Sequence, residues 1–252
     1  MLSEGFLEQV LARAGLSAPV LFEEVTRSTN DTALAMADEG APEWTLVAAA
    51  HQTAGRGRLG RSWLDEPGRS LMFSLVLRPR LPPAHLGLIS LLAGSAAAGA
   101  ARECGASDAW CKWPNDLFVG ESKAGGILAE ARVAGGRVEH VVVGVGINVG
   151  EPPRGLPGAG AVVGAAEGQL LEAFLRFFKH KYQPGHPAFQ AAVVAGYGEV
   201  CRTIGKTVRA TTVDGRLIEG TAVGLDDTGG LMIEAEGEAA TVAFSEVLHV
   251  ER

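Results

Sequence analysis

The residues best suited to chemistry lie in one run, His51 to Trp63. It interleaves Gly55, Gly57 and Gly60 with Arg56, Arg58 and Arg61 and contains no acid. The chain as a whole carries a net charge of -7, so this local reversal of sign needs a cause. Arginine forks match carboxylate and phosphate oxygens, and glycines let a backbone turn freely and approach a ligand closely. Together they describe a flexible loop that closes over an anion. The spacing also satisfies G-x-G-x-x-G, but the dinucleotide fingerprint needs a strand before it and a helix opening at its end. The apolar run 45–50 fits the strand, whereas 62–68 reads as loop and 70–77 as a second strand. The dinucleotide reading therefore fails.

Four further polar sites interrupt apolar strands or their ends: Ser28, Thr29 and Asn30; Gln52 at the head of the loop; Lys112 with Asn115 and Asp116; and Lys123. Asn148 is a fifth. Each has an ordinary explanation when taken singly: a helix cap for Ser28 to Asn30, a turn for Asn115 and Asp116, a solvated hairpin tip for Lys123, a backbone-bonded amide for Asn148. Taken together they point to one site, because strand-end residues of an α/β core converge on a common crevice.

The elements that would position them are legible in the hydrophobic pattern. Residues 3–15 predict a helix with Ser3 as N-cap and Gly15 as its stop. A strand at 20–25 leads through a polar turn to a helix over 32–39, and strands at 45–50 and 70–77 flank the Gly/Arg loop. Residues 86–104 predict a long helix whose small side chains suit close packing on a sheet. A strand at 109–113 is followed by a hairpin over 117–131 with its turn near Gly120 to Ser122, and a second hairpin turn near 134–136 leads to a buried strand at 141–149. That strand carries Gly144 and Gly146, a sign of close approach to its backbone. Residues 151–164 read as a Pro/Gly-rich surface loop. Helices follow at 167–182 and 187–201, the second weakened by Gly196 and Gly198. Beyond 204 the character changes to four short strands at 206–212, 217–225, 230–235 and 239–244. Their turns fall at Asp214-Gly215, 226–229 and Glu236-Gly237. The division is thus 1–203 for a large α/β domain, which the resemblance given below makes the catalytic one, and 204–252 for a small β domain.

Bulk properties narrow the function. With 252 residues, 47% hydrophobic and 20% charged, the chain can bury a large core plus a small one. Its acidity argues against a general nucleic-acid binder. Three cysteines without C-x-x-C spacing suit a reducing compartment. The N-terminus lacks a signal-peptide pattern, and Leu86 to Ala101 fits a buried helix better than a membrane span. The expectation is a soluble, cytoplasmic protein that does not engage membranes.

The ordered motifs GRGRLGRSW at 55–63, KWPNDL at 112–117, KAGGIL at 123–128 and GVGINV at 144–149, with Ser28-Thr29-Asn30 upstream, resemble those of the biotin protein ligases. The resemblance covers about residues 20–150 strongly and reaches the C-terminal strands more weakly. It implies an α+β fold: a mixed β-sheet catalytic core with packed helices, class II synthetase-like, followed by an SH3-like β-barrel. It implies that biotin and ATP, with Mg²⁺ whose ligands are unreadable, give biotinyl-5′-AMP, from which biotin passes to a lysine of a biotin carboxyl carrier domain. By the same resemblance Lys123, Arg58 and Asp116 are catalytic, with Asp116 orienting the acceptor amine. The biotin site takes Ser28, Thr29, Asn30, Gln52, Arg56, Gly57, Arg58, Trp63, Lys123, Gly144 and Gly146. The adenylate site takes Arg56, Arg58, Arg61, Lys112, Asn115, Lys123 and Asn148. About twenty residues precede the first strand, too few for the helix-turn-helix module of some relatives, so no DNA binding is expected. An edge strand offers a route to a homodimer. Two departures stand out: the Gly/Pro-rich 151–165 segment and the last ten residues, which lack an expected glycine. The alternatives are a lipoate or octanoate ligase, disfavoured by the Gly/Arg loop and KWPND, and a non-catalytic biotin-binding regulator.

Overall fold

The computed structural model describes residues 2–211, 216–235, 238–243 and 247–249. Its elements run α1 (Glu4–Arg13), β1 (Val20–Glu23), α2 (Thr29–Asp38), β2 (Leu46–Ala49), β3 (Ser70–Leu77), α3 (Gly87–Glu103), β4 (Ala109–Lys112), β5 (Asp116–Val119), β6 (Ser122–Ala134), β7 (Arg137–Asn148), α4 (Glu167–Lys181) and α5 (Phe189–Gly198). Five strands follow: β8 (Thr207–Thr211), β9 (Leu217–Leu225), β10 (Leu231–Ala235), β11 (Glu238–Val242) and β12 (Val247–His249). The first seven strands form one mixed sheet in the order β1-β2-β3-β7-β6-β5-β4, parallel between β1 and β2 and otherwise antiparallel. The last five form an antiparallel sheet in the order β11-β10-β9-β8-β12. This is the α+β core followed by a small SH3-like β domain that the motifs imply.

The period-2 alternation of strand side chains sorts the two faces of the large sheet. Leu71, Phe73, Leu75 and Leu77 of β3, with Val141, Val143, Val145 and Ile147 of β7, join the main core with α1, α3, α4 and α5. Val47, Val76 and Val142 point the other way and pack with Ala33 and Ala37 of α2. Farther along that second face the pattern changes from valine to Ser74, Gly144 and Gly146. The small residues leave room where α2 no longer covers the sheet.

Several predicted elements shift for identifiable reasons. α2 begins at Thr29 rather than Thr32 because the Thr29 amide donates to Gln52 Oε1 at 2.8 Å. A side chain from the Gly/Arg loop thus supplies the cap, and Ser28, at the N-cap position, makes no side-chain cap bond. α5 persists through Gly196 because Phe189, Val193 and Tyr197, four residues apart, are buried. The stretch Pro83–Glu103 is long and apolar enough to cross a membrane, yet its most apolar window is 72% buried inside the protein. It is the core helix predicted. In the C-terminal sheet, β12 adds a fifth strand against β8 where four were read. The turns at Asp214-Gly215 and Glu236-Gly237, the strand ends Thr212 and Phe244, and most of the chain end lie outside the described residues.

The two sheets are joined through the Lys-Trp-Pro motif. Cys111 N donates to Val200 O at 2.8 Å and Arg202 N to Cys111 O at 3.1 Å, so residues 200–202 run parallel beside β4. The Trp113 amide donates to the fully buried Thr203 Oγ1 (2.9 Å), and the Trp113 indole N–H donates to Gly229 O (3.0 Å).

Candidate active site

The second face of the large sheet, the N-terminus of α2 and the Gly/Arg loop enclose a cavity of about 220 Å³. Every residue proposed from the sequence for catalysis or binding lines it except Asn148. Asn148 is buried and donates from Nδ2 to Gly160 O at 2.9 Å, tying down the 151–164 loop. That amide N–H is used by the scaffold, and Asn148 does not line the cavity.

One end of the cavity is a hydrogen-bonded polar array. Gln52 Oε1 accepts from Thr29 N (2.8 Å) and Thr29 Oγ1 (3.2 Å), while Ser74 Oγ lies 2.8 Å from Thr29 Oγ1 and 2.6 Å from Asn30 Oδ1. Asn30 Nδ2 donates to Glu130 Oε2 at 2.8 Å and to Leu128 O at 3.2 Å. Gly144 and Gly146 serve this end in a way the sequence did not reveal. A Cβ at 144 would lie 2.1 Å from Asn30 Oδ1, and one at 146 would lie 2.7 Å from Trp63 Cε2. The side chains nearest the two glycines are therefore the Asn30 amide and the Trp63 indole. Among the described residues the buried Trp63 indole N–H has no hydrogen-bond partner, a state that costs about 1–3 kcal/mol and favours an acceptor arriving from outside.

The other end is charged. Lys123 Nζ sits 2.7 Å from Asp116 Oδ1. Arg58 Nη1 donates to Asn115 Oδ1 at 3.0 Å, and Asn115 Nδ2 donates to Ile127 O at 3.0 Å. The register that pairs Lys112 with Asp116, and Asp116 with Gly126, brings the KWPND and KAGGIL motifs side by side. Arg56 departs from expectation. Its guanidinium forks onto Glu130 (Nη1 to Oε1 2.8 Å, Nη2 to Oε2 2.6 Å) and also meets Asp31 at 2.8 Å. The hydrogen bonds that Arg56 donates to Glu130, with the nearby charges of Glu130 and Asp31, raise the Arg56 pKa above its usual value against the opposing effect of burial. Five cationic side chains, Arg56, Arg58, Arg61, Lys112 and Lys123, line the cavity. Asp31 and Glu130 meet Arg56, and Asp116 meets Lys123.

The loop itself is folded back as a short hairpin. Trp63 N donates to Gly55 O, and Gly57 N to Arg61 O. Leu59 and Gly60 at its tip both take left-handed backbone angles, φ 55° and 74°. At its base His51 Nδ1 meets the fully buried Asp65 carboxylate at 2.8 Å. Asp31, Ser74 and Glu130 were not found from the sequence. Glu130 lies two residues beyond the KAGGIL motif and looks there like any solvated strand charge; only the strand register shows its neighbours.

Such a cavity can hold a small molecule by a polar head at one end and gather anions at the other. The family described as the Biotin/lipoate A/B protein ligase family matches residues 22–148, and the Biotin protein ligase C terminal domain matches residues 203–250. The chain is 32% identical over 247 residues to the bifunctional ligase/repressor BirA of Bacillus subtilis, covering 91% of this chain and 75% of the relative. It is also 32% identical over 236 residues to the biotin--[acetyl-CoA-carboxylase] ligase of Mycobacterium tuberculosis, covering 89% and 86%. In fold it is similar to the biotin protein ligase of Aquifex aeolicus solved in complex with biotin and ATP, with a TM-score of 0.73, 24% identity, and coverage of 92% of this chain and 99% of that one.

Proposed function

The chain belongs to the biotin protein ligases of the biotin/lipoate A/B family, and on that premise we propose that its cavity activates biotin with ATP and passes biotin to a lysine of a biotin carboxyl carrier domain. The observation that carries this reading is the meeting of all four motifs on one cavity, polar at one end and cationic at the other.

In the first step the biotin carboxylate attacks the α-phosphorus of ATP. The bond to the bridging oxygen breaks, and biotinyl-5′-AMP and pyrophosphate form. Two anions must approach, and Coulomb repulsion opposes them. Lys123 and Arg58 are the residues we assign to offset it, with Arg61 and Lys112 beside them. Lys123 stabilises charge developing on the phosphoryl oxygens. The array of Ser28, Thr29, Asn30 and Gln52 takes the ureido head of biotin, and Trp63 packs on its apolar body. The hairpin formed by the Gly/Arg loop shields the mixed anhydride from water.

In the second step the acceptor amine attacks the biotinyl carbonyl and AMP leaves. A lysine has a reference pKa near 10.4, so it must lose a proton to react. Asp116, 2.7 Å from Lys123, is the group we assign to orient that amine and accept its proton. Asn115 holds Arg58 in place. Among the described residues no group of three or more His, Cys, Asp or Glu is arranged to hold a metal. Mg²⁺ would therefore arrive on the phosphates of ATP and be held largely by them and by water.

The test is ATP–pyrophosphate exchange in Mg²⁺ without any acceptor protein, run with biotin and separately with lipoate. Biotin-dependent exchange that disappears in Lys123→Met is the expected result. Exchange with lipoate alone would move the chain to the sister branch of the family. Exchange with neither would leave a binding protein and refute the catalytic reading.

A further inference from the structure

Glu130 is the junction at which three parts of the site meet. Its Oε2 accepts from Asn30 Nδ2 of α2 (2.8 Å) and from Arg56 Nη2 of the loop (2.6 Å), while its Oε1 takes Arg56 Nη1 (2.8 Å). Asp31, one residue beyond Asn30, closes the group on Arg56 at 2.8 Å. Two consequences follow from donor and acceptor chemistry. A carboxylate only accepts, so the Asn30 amide must turn its NH₂ toward Glu130 and its oxygen toward Ser74 and Gly144. The carboxylate thereby determines which end of that amide faces the closed end of the cavity. In addition, a bidentate fork fixes orientation as well as distance. Arg56 has both terminal nitrogens engaged by carboxylates, so little of its charge is left for a phosphate.

We propose that Glu130 is a positioning residue for the ligation reaction. It tethers the Gly/Arg loop through Arg56 and sets the polarity of Asn30, and Arg56 works as the loop's anchor while Arg58 and Lys123 act on the anions. The inference rests on the ligase reading for the step it serves; the tether itself does not depend on it.

The experiment has two arms. In the first, hydrogen exchange of amides 54–62 is measured in the unliganded full chain. Glu130→Gln, nearly isosteric, is expected to raise exchange at least tenfold. In the second, ATP–pyrophosphate exchange is measured against biotin concentration. Glu130→Gln is expected to raise the biotin KM at least tenfold with kcat within threefold. The charge swap Arg56→Glu with Glu130→Arg is expected to recover at least tenfold of the KM lost by either single change, because the fork re-forms in reverse and Asp31 now meets the arginine at 130. Loop exchange within twofold of the parent in both single variants would overturn the tether. A swap no better than its singles would overturn the role given to Arg56 and return it to the ligand-binding cations. If Glu130→Gln does not fold, Arg56→Gln is measured in both arms with the same expectations. A parent chain without biotin-dependent exchange would sink the ligase reading, and the first arm would still decide the tether.

Discussion

Replacing Gly144 with alanine should be far more damaging than a single added methyl suggests. The new Cβ would stand 2.1 Å from Asn30 Oδ1 and 2.8 Å from its Cγ, so the Asn30 amide must leave its place. It would give up the bond to the Glu130 carboxylate at 2.8 Å, the bond to Leu128 O at 3.2 Å, and the bond from Ser74 Oγ at 2.6 Å. A bond to a charged group contributes about 1.5–3 kcal/mol and each neutral one about 0.5–1.5 kcal/mol. Alanine in place of glycine in a strand returns roughly 0.5–1 kcal/mol. The net loss is about 2–5 kcal/mol, a large part of the ~5–15 kcal/mol that holds a typical domain. Urea unfolding of the parent, Gly144→Ala, Asn30→Ala and the double variant measures it as a cycle. Once Asn30 is already shortened, the second change should cost almost nothing, so the coupling should reach at least about 2 kcal/mol. Effects that add to within about 0.5 kcal/mol, or a Gly144→Ala variant as stable as the parent, would show that Asn30 does not occupy that space.

Three further outcomes are expected. Trp113→Phe removes the donor to Gly229 O and should lower stability by about 1–3 kcal/mol, read by urea unfolding. Burial lowers the His140 pKa below its usual 6.5, outweighing the nearby Asp38 carboxylate. The unfolded chain therefore takes up a proton as pH falls through 6.5 while the folded chain resists, and stability should decline below that pH. His140→Gln should flatten this slope in urea unfolding at pH 7.5 and 5.5. Burial pushes up the pKa of all three thiols, but Cys104 is half-buried whereas Cys111 and Cys201 are buried. A thiol reagent should label Cys104 first in the native chain and all three cysteines in denaturant.

Much of this site could be read in the chain before its fold was known, because the residues that face an anion must be of particular types at particular spacings. Arg58, Lys112, Asn115, Asp116 and Lys123, read from separate motifs, line one cavity. What escaped was the pairing between distant segments. Glu130 and Asp31 carry no local mark of their partner, because an ion pair between β6 and the loop depends on strand register. Gln52 reads as a ligand contact and proves also to cap a helix 23 residues earlier in the chain. Gly144 and Gly146 do signal close approach, but periodicity cannot say that the approaching groups are Asn30 and Trp63. Asn148 is a motif residue whose amide bonds the neighbouring loop, a contact the motif does not announce. The strand β12 lies in a short stretch whose pattern is too brief to separate from coil.

The seating of Trp113 against Thr203 and Gly229 also bears on when the site can first exist during synthesis. The Trp113 indole finds its acceptor 116 residues farther along the chain. At roughly 5–20 residues per second, those 116 residues take roughly 6–23 s to make. Once residue 148 is made, the Gly/Arg loop, Lys123 and all seven strands of the large sheet have been synthesised, while residues 200–202 beside β4 and the acceptor Gly229 have not. A nascent chain therefore carries all four motifs well before the Trp113 indole can reach its acceptor.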